Sequence, residues 1–254
     1  MKLTVLCILT VLFSPILLAQ SKQTETYRQT WVDIFSQNRF SNKWGLWTEG
    51  QLSMRNNFTN HFFQSVIRVG AIHYFNETYK LIIGYANVQH FPGDNHKYIT
   101  QPENRIYEQF QWQTRYPKSR LVQSFRLEER FPRKILNDST LGDGHSFTYG
   151  FRYYIWYDIS LGRNVLLPHT WSMVINEEMH LNFGKQVVYN YFDQNRFFLG
   201  VKYQLGANNN LQAGYMNLFQ QLSSGNKYKS IQAMRMFYVH NLDWRKKQNA
   251  VKPG

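Results

Sequence analysis

The chain has a single cysteine, Cys7, in 254 residues. It falls within an apolar leader, so the rest of the chain carries no thiol. Disulfide frameworks, zinc–thiolate sites and cysteine nucleophiles are thereby excluded from that region. Charge is also scarce, at 18% of residues, whereas aromatics reach 17%. That balance is the reverse of a disordered composition. After the leader there is no run of about 20 apolar residues of the kind a membrane-crossing helix needs, and mean hydropathy is negative. No phosphate-binding glycine loop, dinucleotide fingerprint or P-loop is present. Acidic residues are few, 16 against 29 lysines and arginines, for a formal net charge of +13. Such a chain is suited to lipid phosphates, acidic glycans or nucleic acid. The basic residues are scattered and form no basic helix, so nucleic acid is not an expected partner.

What is present begins with a leader. Lys2 precedes an apolar stretch from Leu3 to Leu18, broken only by Thr4, Thr10, Ser14 and Pro15, and polar chain starts at Gln20. Residues 1–19 read as a secretory signal peptide cleaved after Ala19, with an uncleaved anchor as the alternative. Cys7 comes too early to be a lipid attachment site. Residues 20–254 show no linker and read as one domain ending in a short basic tail from Arg245.

Across that domain the pattern has period two. In the stretch 147–161 the odd positions are Phe147, Tyr149, Phe151, Tyr153, Ile155, Tyr157, Ile159 and Leu161. The even positions include Ser146, Thr148, Arg152, Asp158 and Ser160. Such alternation marks a strand with a different environment on each face. Similar alternation covers 106–116, 121–131, 195–205 and 234–244, and a weaker form covers 44–54, 62–74, 80–90 and 170–183. Residues 27–40 look extended but have no clear apolar face. The total is about eleven strands, longer than the usual five or six residues. Short turns at 41–43, 76–78, 117–119 and 207–210 alternate with longer loops near 55–61, 91–104, 132–145, 184–194 and 222–229. The connection 162–169 is long where a short one is expected.

Long strands, alternating faces, abundant aromatics and one rim of short turns together predict an all-β fold: an antiparallel up-and-down transmembrane β-barrel of ten to twelve strands. Bacterial barrels are usually even-numbered; treating 27–40 as a plug or periplasmic strand would leave ten, and one missed strand would make twelve. Three acids, Glu108, Glu129 and Glu177, fall on the apolar face, where a bulge or a rim position would have to accommodate them. The competing class is a soluble periplasmic barrel with Phe147, Tyr149, Phe151, Tyr153 and Ile155 turned inward around a hydrophobic ligand.

Four segments, QTWVDIFSQNRFSNKWGLWTEGQ (29–51), SFRLEERF (124–131), INEEMHLNFG (175–184) and FDQNRFFLGVKYQL (192–205), resemble an uncharacterised bacterial family, the domain of unknown function 2490 group. The resemblance runs through the whole of residues 20–254 in order. It implies an outer-membrane β-barrel of a Bacteroidetes-type bacterium and transfers no catalytic residue.

On the barrel reading the inward faces carry Glu49, Arg68, Arg115, Arg126, Glu128, Arg130, Arg152, Asp158, Glu178, Arg196, Lys202 and Arg235. Charges facing one another across a lumen must be paired or wet. The expectation is a salt-bridged filling of a narrow barrel, with an anion-favouring channel as the other possibility. The pairs Glu128-Glu129 and Glu177-Glu178 point to opposite strand faces and cannot act together as acid and base. His145 with Ser146, and His180 with Glu178 and Ser172, are the hydrolase-like groupings, and Ser172 lies about 26 Å from His180 along a strand. His90, Asp94 and His96 form a weak metal-like cluster, read as a hydrated loop, as His169 is. The sequence therefore predicts an exported, non-enzymatic outer-membrane barrel with no cofactor. Its role is structural or directed to a small solute or lipid ligand, and membrane lipids are its principal partners.

Overall fold

In the computed structural model, which describes residues 23–55, 61–93, 96–162 and 167–245, the alternating stretches form strands, and no helix occurs among the described residues. In chain order these are β1 (Gln23–Arg39), β2 (Trp44–Arg55), β3 (His61–Tyr74), β4 (Tyr79–His90), β5 (Gln101–Arg115) and β6 (Ser119–Asn137). They continue as β7 (Thr140–His145), β8 (Thr148–Ser160), β9 (Trp171–Phe183), β10 (Phe192–Gln204), β11 (Asn209–Gln221) and β12 (Lys227–Asp243). The leader with Cys7 and the tail beyond Arg245 lie outside the described residues.

Eleven strands close into a barrel, each paired with its neighbour in the chain apart from β7, which the ring skips. β1, for which a plug or periplasmic strand is one option on sequence alone, is a full member: it pairs with β2 on one side and β12 on the other. The odd number has one geometric consequence. In an up-and-down ring of eleven, the first and last strands run the same way, so the closing pair is parallel, from Gln23↔Lys227 to Arg39↔Asp243. The expected wholly antiparallel barrel is corrected at this seam alone. β7 folds back on the outer end of β6, with Ile135 opposite Leu141, as a hairpin arm where a loop was expected.

Closure requires the register to climb around the ring. Hydrogen-bonded partners run Asn38, Leu46, Ala71, Ile83, Glu108, Leu127, Phe151, Leu181, Phe192. The line starts beside the short turn after β1 and ends at the first residue of β10 on the opposite rim. This stagger corresponds to strands tilted by about 40° from the barrel axis. Short connections at 40–43, 75–78, 116–118 and 205–208 lie on one rim, joined by the longer 161–170.

The alternation sorts residues by face. On β8, Trp156, Asp158 and Ser160 are buried inside while Phe151, Tyr153 and Ile155 point outward. The inward aromatic row that the soluble reading needed is therefore turned out. Around the ring the outer face is mostly apolar and uncovered, with Ile67 70% exposed and Leu199 45%. The register runs unbroken past Glu108, Glu129 and Glu177, so no bulge re-aims them and all three face outward. Glu177 accepts a hydrogen bond from Asn195 on the adjacent strand, whereas Glu108 lies between Ile83 and Leu127.

The core sits inside the barrel. One apolar cluster gathers Trp31, Trp156, Val174, Phe198, Met216, Leu218, Ile231 and Phe237, and a smaller one gathers Ile72, Tyr74, Ile82 and Tyr107. The lumen is thus not uniformly polar, as the alternation had suggested. The smaller cluster depends on a glycine pair: Gly70 and Gly84 face each other across β3 and β4, and the Tyr107 ring lies over them. A Cβ on Gly84 would meet the Val69 carbonyl at 2.4 Å and the Tyr107 ring at 2.6 Å. Gly84→Ala is expected to cost about 1–3 kcal/mol by overpacking, read as a lower denaturation midpoint, and an unchanged midpoint would mean that Tyr107 has room to move aside.

Candidate functional site

Period two places every second residue of each strand in the lumen, and there the charged side chains meet. Glu128 on β6, 1% exposed, is the hub. Its carboxylate lies 3.1 Å from Arg105, 3.0 Å from Arg130, 3.2 Å from Arg152 and 3.5 Å from Arg126. Glu178 on β9 is a second hub, 3.6 Å from Arg152, 3.8 Å from Arg196 and 3.7 Å from Arg235. Arg235 also forms a two-pronged pair with Asp33, at 2.8 and 3.3 Å. Arg68 donates to Glu49, and Asp158 accepts from Arg120 and pairs with Lys202 at 3.0 Å. Sharing each carboxylate among several guanidinium groups offsets part of the cost of removing them from water.

Of the twelve sequence-predicted lumen charges, eleven lie inside the barrel and belong to this network. Arg115 is the exception, exposed at the short-turn rim. Several members escaped sequence reading: Asp33 on the strand without an apolar face, Glu103 and Arg105 at the start of β5, Arg120, Lys80, and Asp193, which pairs with Arg130 at 3.1 Å. Parity would have found Glu103, Arg105 and Arg120, which keep step with Gln109 and Arg126 on their own strands. The glutamic pairs split as expected, Glu128 and Glu178 inward, Glu129 and Glu177 outward.

The histidine groupings do not assemble. His180 is fully buried, 3.2 Å from Glu178 and 3.3 Å from Gln194, and Ser172 sits at the far end of the same strand. His90 contacts Glu103 at 2.8 Å and Gln64 at 3.2 Å, while His96 faces the Ile99 carbonyl. Asp94 lies outside the described residues. Among the described residues no three potential ligands converge as a metal site.

Arginines and aromatics fill the half of the lumen nearer the long loops. Toward the short-turn rim the filling stops and a cavity of about 500 Å³ opens. Its floor is Arg68, Arg126, Arg152, Glu178, Arg196 and Arg235, and its mouth lies among the 75–78 and 205–208 turns and Asp243. A latch crosses that mouth: Glu77 accepts from Arg39 at 2.7 Å and from Arg245 at 3.2 Å. The Arg39 hydrogen bond, with help from Arg245, holds the Glu77 carboxyl below its ordinary range.

A closed eleven-strand ring with a charged hub and a one-ended cavity is the geometry against which relatives can be compared. The profile of one protein family, described as a protein of unknown function (DUF2490), matches residues 28–229. The chain belongs to this family. The matched region runs from within β1 to the start of β12, so it takes in Glu128 and Glu178 and leaves most of the closing strand, Arg235 included, outside. No curated protein and no solved structure matches this DUF2490 chain.

Proposed function

We propose that this DUF2490 protein is an outer-membrane β-barrel that does not conduct, and that it presents a solute-binding cavity at its short-turn end. The observation that carries the reading is the uncovered apolar outer face, which continues from strand to strand through Ile67, Ile83, Phe125, Leu199, Tyr215 and Met234. A water-soluble surface seldom exposes so large a contiguous apolar area, and a closed sheet with all its backbone groups paired is what a bilayer demands. The leader supports export. With short turns on the periplasmic side, as in outer-membrane barrels generally, the cavity would open to the periplasm and β7 would stand outside. The hubs around Glu128 and Glu178 fill the barrel above the cavity, which argues against an open pore. The role in this reading is binding and structural; His180 and Ser172 sit near opposite ends of β9 and do not meet.

Fractionation of the native host tests location. The protein should be recovered with outer membranes and migrate faster on a gel when unboiled than when boiled. Recovery as soluble periplasmic protein without a mobility shift would overturn the membrane reading. Reconstituted in planar bilayers, the purified barrel should show no sustained single-channel conductance, and steady conductance would overturn the closed lumen.

A further inference from the structure

We infer that the short-turn cavity binds a small hydroxylated solute bearing a carboxylate or phosphate, an acidic sugar in chemical class, with the acid group on the arginine floor. The inference deepens the binding part of the proposed function and does not depend on what touches the outside of the barrel.

Charge is the first argument. Ten arginine and lysine side chains line the cavity against four carboxylates. The two carboxylates at the floor are already committed, Glu49 to Arg68 and Glu178 to three arginines. Arg126 has no acid nearer than Glu128 at 3.5 Å, and Arg196 none nearer than Glu178 at 3.8 Å. Both arginines are more than nine-tenths buried. Arg126 Nη1, Arg68 Nε, Arg152 Nε and Arg196 Nε have no hydrogen-bond partner among the described residues. A charged N–H left without a hydrogen bond at such depth is costly even where the guanidinium has an ion pair, and guanidinium groups match carboxylate and phosphate oxygens in pairs.

The walls supply the second argument. Seven glutamines line the cavity, Gln51, Gln109 and Gln111 among them, interleaved with Trp47, Tyr154 and Trp156. An amide both donates and accepts, so a wall of amides suits hydroxyls, and the aromatic faces suit the C–H faces of a sugar ring. The indole N–H of Trp47 and the amide oxygens of Gln204 and Gln212 also have no partner among the described residues. A hydrocarbon tail would leave all of these groups unpaired. The volume lies within the usual range for small-molecule sites.

The test uses the full barrel folded in detergent, with folding checked by the heat-dependent mobility shift, and isothermal titration with four probes: glucuronate, glucose 6-phosphate, glucose and inorganic phosphate. At least one charged sugar should bind saturably, with glucose and phosphate each at least tenfold weaker. Arg126→Gln and Arg196→Gln should each weaken binding at least tenfold. Val122→Trp, which fills the cavity without changing its charge, should abolish binding and decides the matter if the arginine variants do not fold. The inference is overturned if neither charged sugar binds, if glucose or phosphate binds as well as they do, or if Val122→Trp leaves affinity unchanged. A chain recovered as a soluble protein would sink the membrane reading and leave this titration to be judged on its own result.

Discussion

Glu128→Ala is expected to be the most damaging single substitution in the lumen, lowering stability by about 3–5 kcal/mol. Four arginines converge on this one carboxylate, and for Arg126 it is the nearest acid. Its removal leaves four buried positive charges facing one another; Arg105, Arg130 and Arg152 keep Glu103, Asp193 and Glu178, and Arg126 loses its one ion pair among the described residues. The neutral Glu128→Gln should cost nearly as much, because shape is retained and charge is lost. If charge imbalance is the cause, removing a cation at the same time should recover part of the loss. Arg152→Met in the Glu128→Gln background is the suitable pair, since Arg152 then keeps only its longer contact with Glu178. Urea unfolding of the barrel folded in vesicles, followed by tryptophan fluorescence, gives the four stabilities of the cycle. A loss below about 1 kcal/mol for Glu128→Ala would show that the arginines are satisfied by water and that the hub is not a structural keystone.

Leu199→Arg separates lipid from water outside the barrel. Leu199 is mid-strand on β10, outward, with Ile175 and Tyr215 as its cross-strand partners. Against hydrocarbon an arginine there costs about 2–4 kcal/mol, falling to about 0–1 near an interface. In water the same change is a surface substitution within about 0.5 kcal/mol. The expected result is a large loss of heat-shifted barrel for Leu199→Arg and a small one for Leu205→Arg, placed in the short turn after β10. Equal, small effects at both positions would mean that the outer face is wet or covered by protein. The discriminating power comes from the structure. While Phe151 and its row might have pointed either way, a charge there would have damaged a core or a lipid contact alike; with the row known to point outward, only lipid makes the charge expensive.

Period-two alternation made the fold legible because a barrel gives each strand face a single environment. β8, whose two faces differ sharply, was readable to the residue. β1 was not, because its inward face mixes Trp31 and Phe35 with Asp33 and Arg39, and its outward face carries Ser36 and Asn38. A strand adjoining the seam meets apolar core and ion pairs on the same side, so no face reads as oily. The charged lumen residues could be picked out by parity alone. Their partners could not, since Glu128 reaches Arg105 and Arg152 through register, and register between strands is not written in either strand alone. The cavity was invisible for a further reason. Its walls are glutamines and aromatics drawn from most of the ring, and only the tilt of the strands brings Gln111, Trp47 and Gln212 around one space.

The parallel closing pair places an unusual demand on a few side chains. Every other pair of neighbours in the ring is joined by a single connecting segment, a loop or, between β6 and β8, the β7 arm, which limits how the two strands align. β1 and β12 have no turn between them; Gln23 and Lys227 are brought together by everything folded in between. A shift of one residue would send Trp31 and Asp33 outward, and a shift of two that set Asp33 opposite Val239 would carry it away from Arg235, which lies opposite Trp31. The Asp33–Arg235 ion pair, with Phe35 stacked on Phe237 at 5.8 Å, reaches diagonally across the seam and helps to hold its alignment, while the burial of Trp31 and Asp33 forbids a one-residue slip. It contributes to the last closure of the ring what a connecting segment of chain contributes elsewhere.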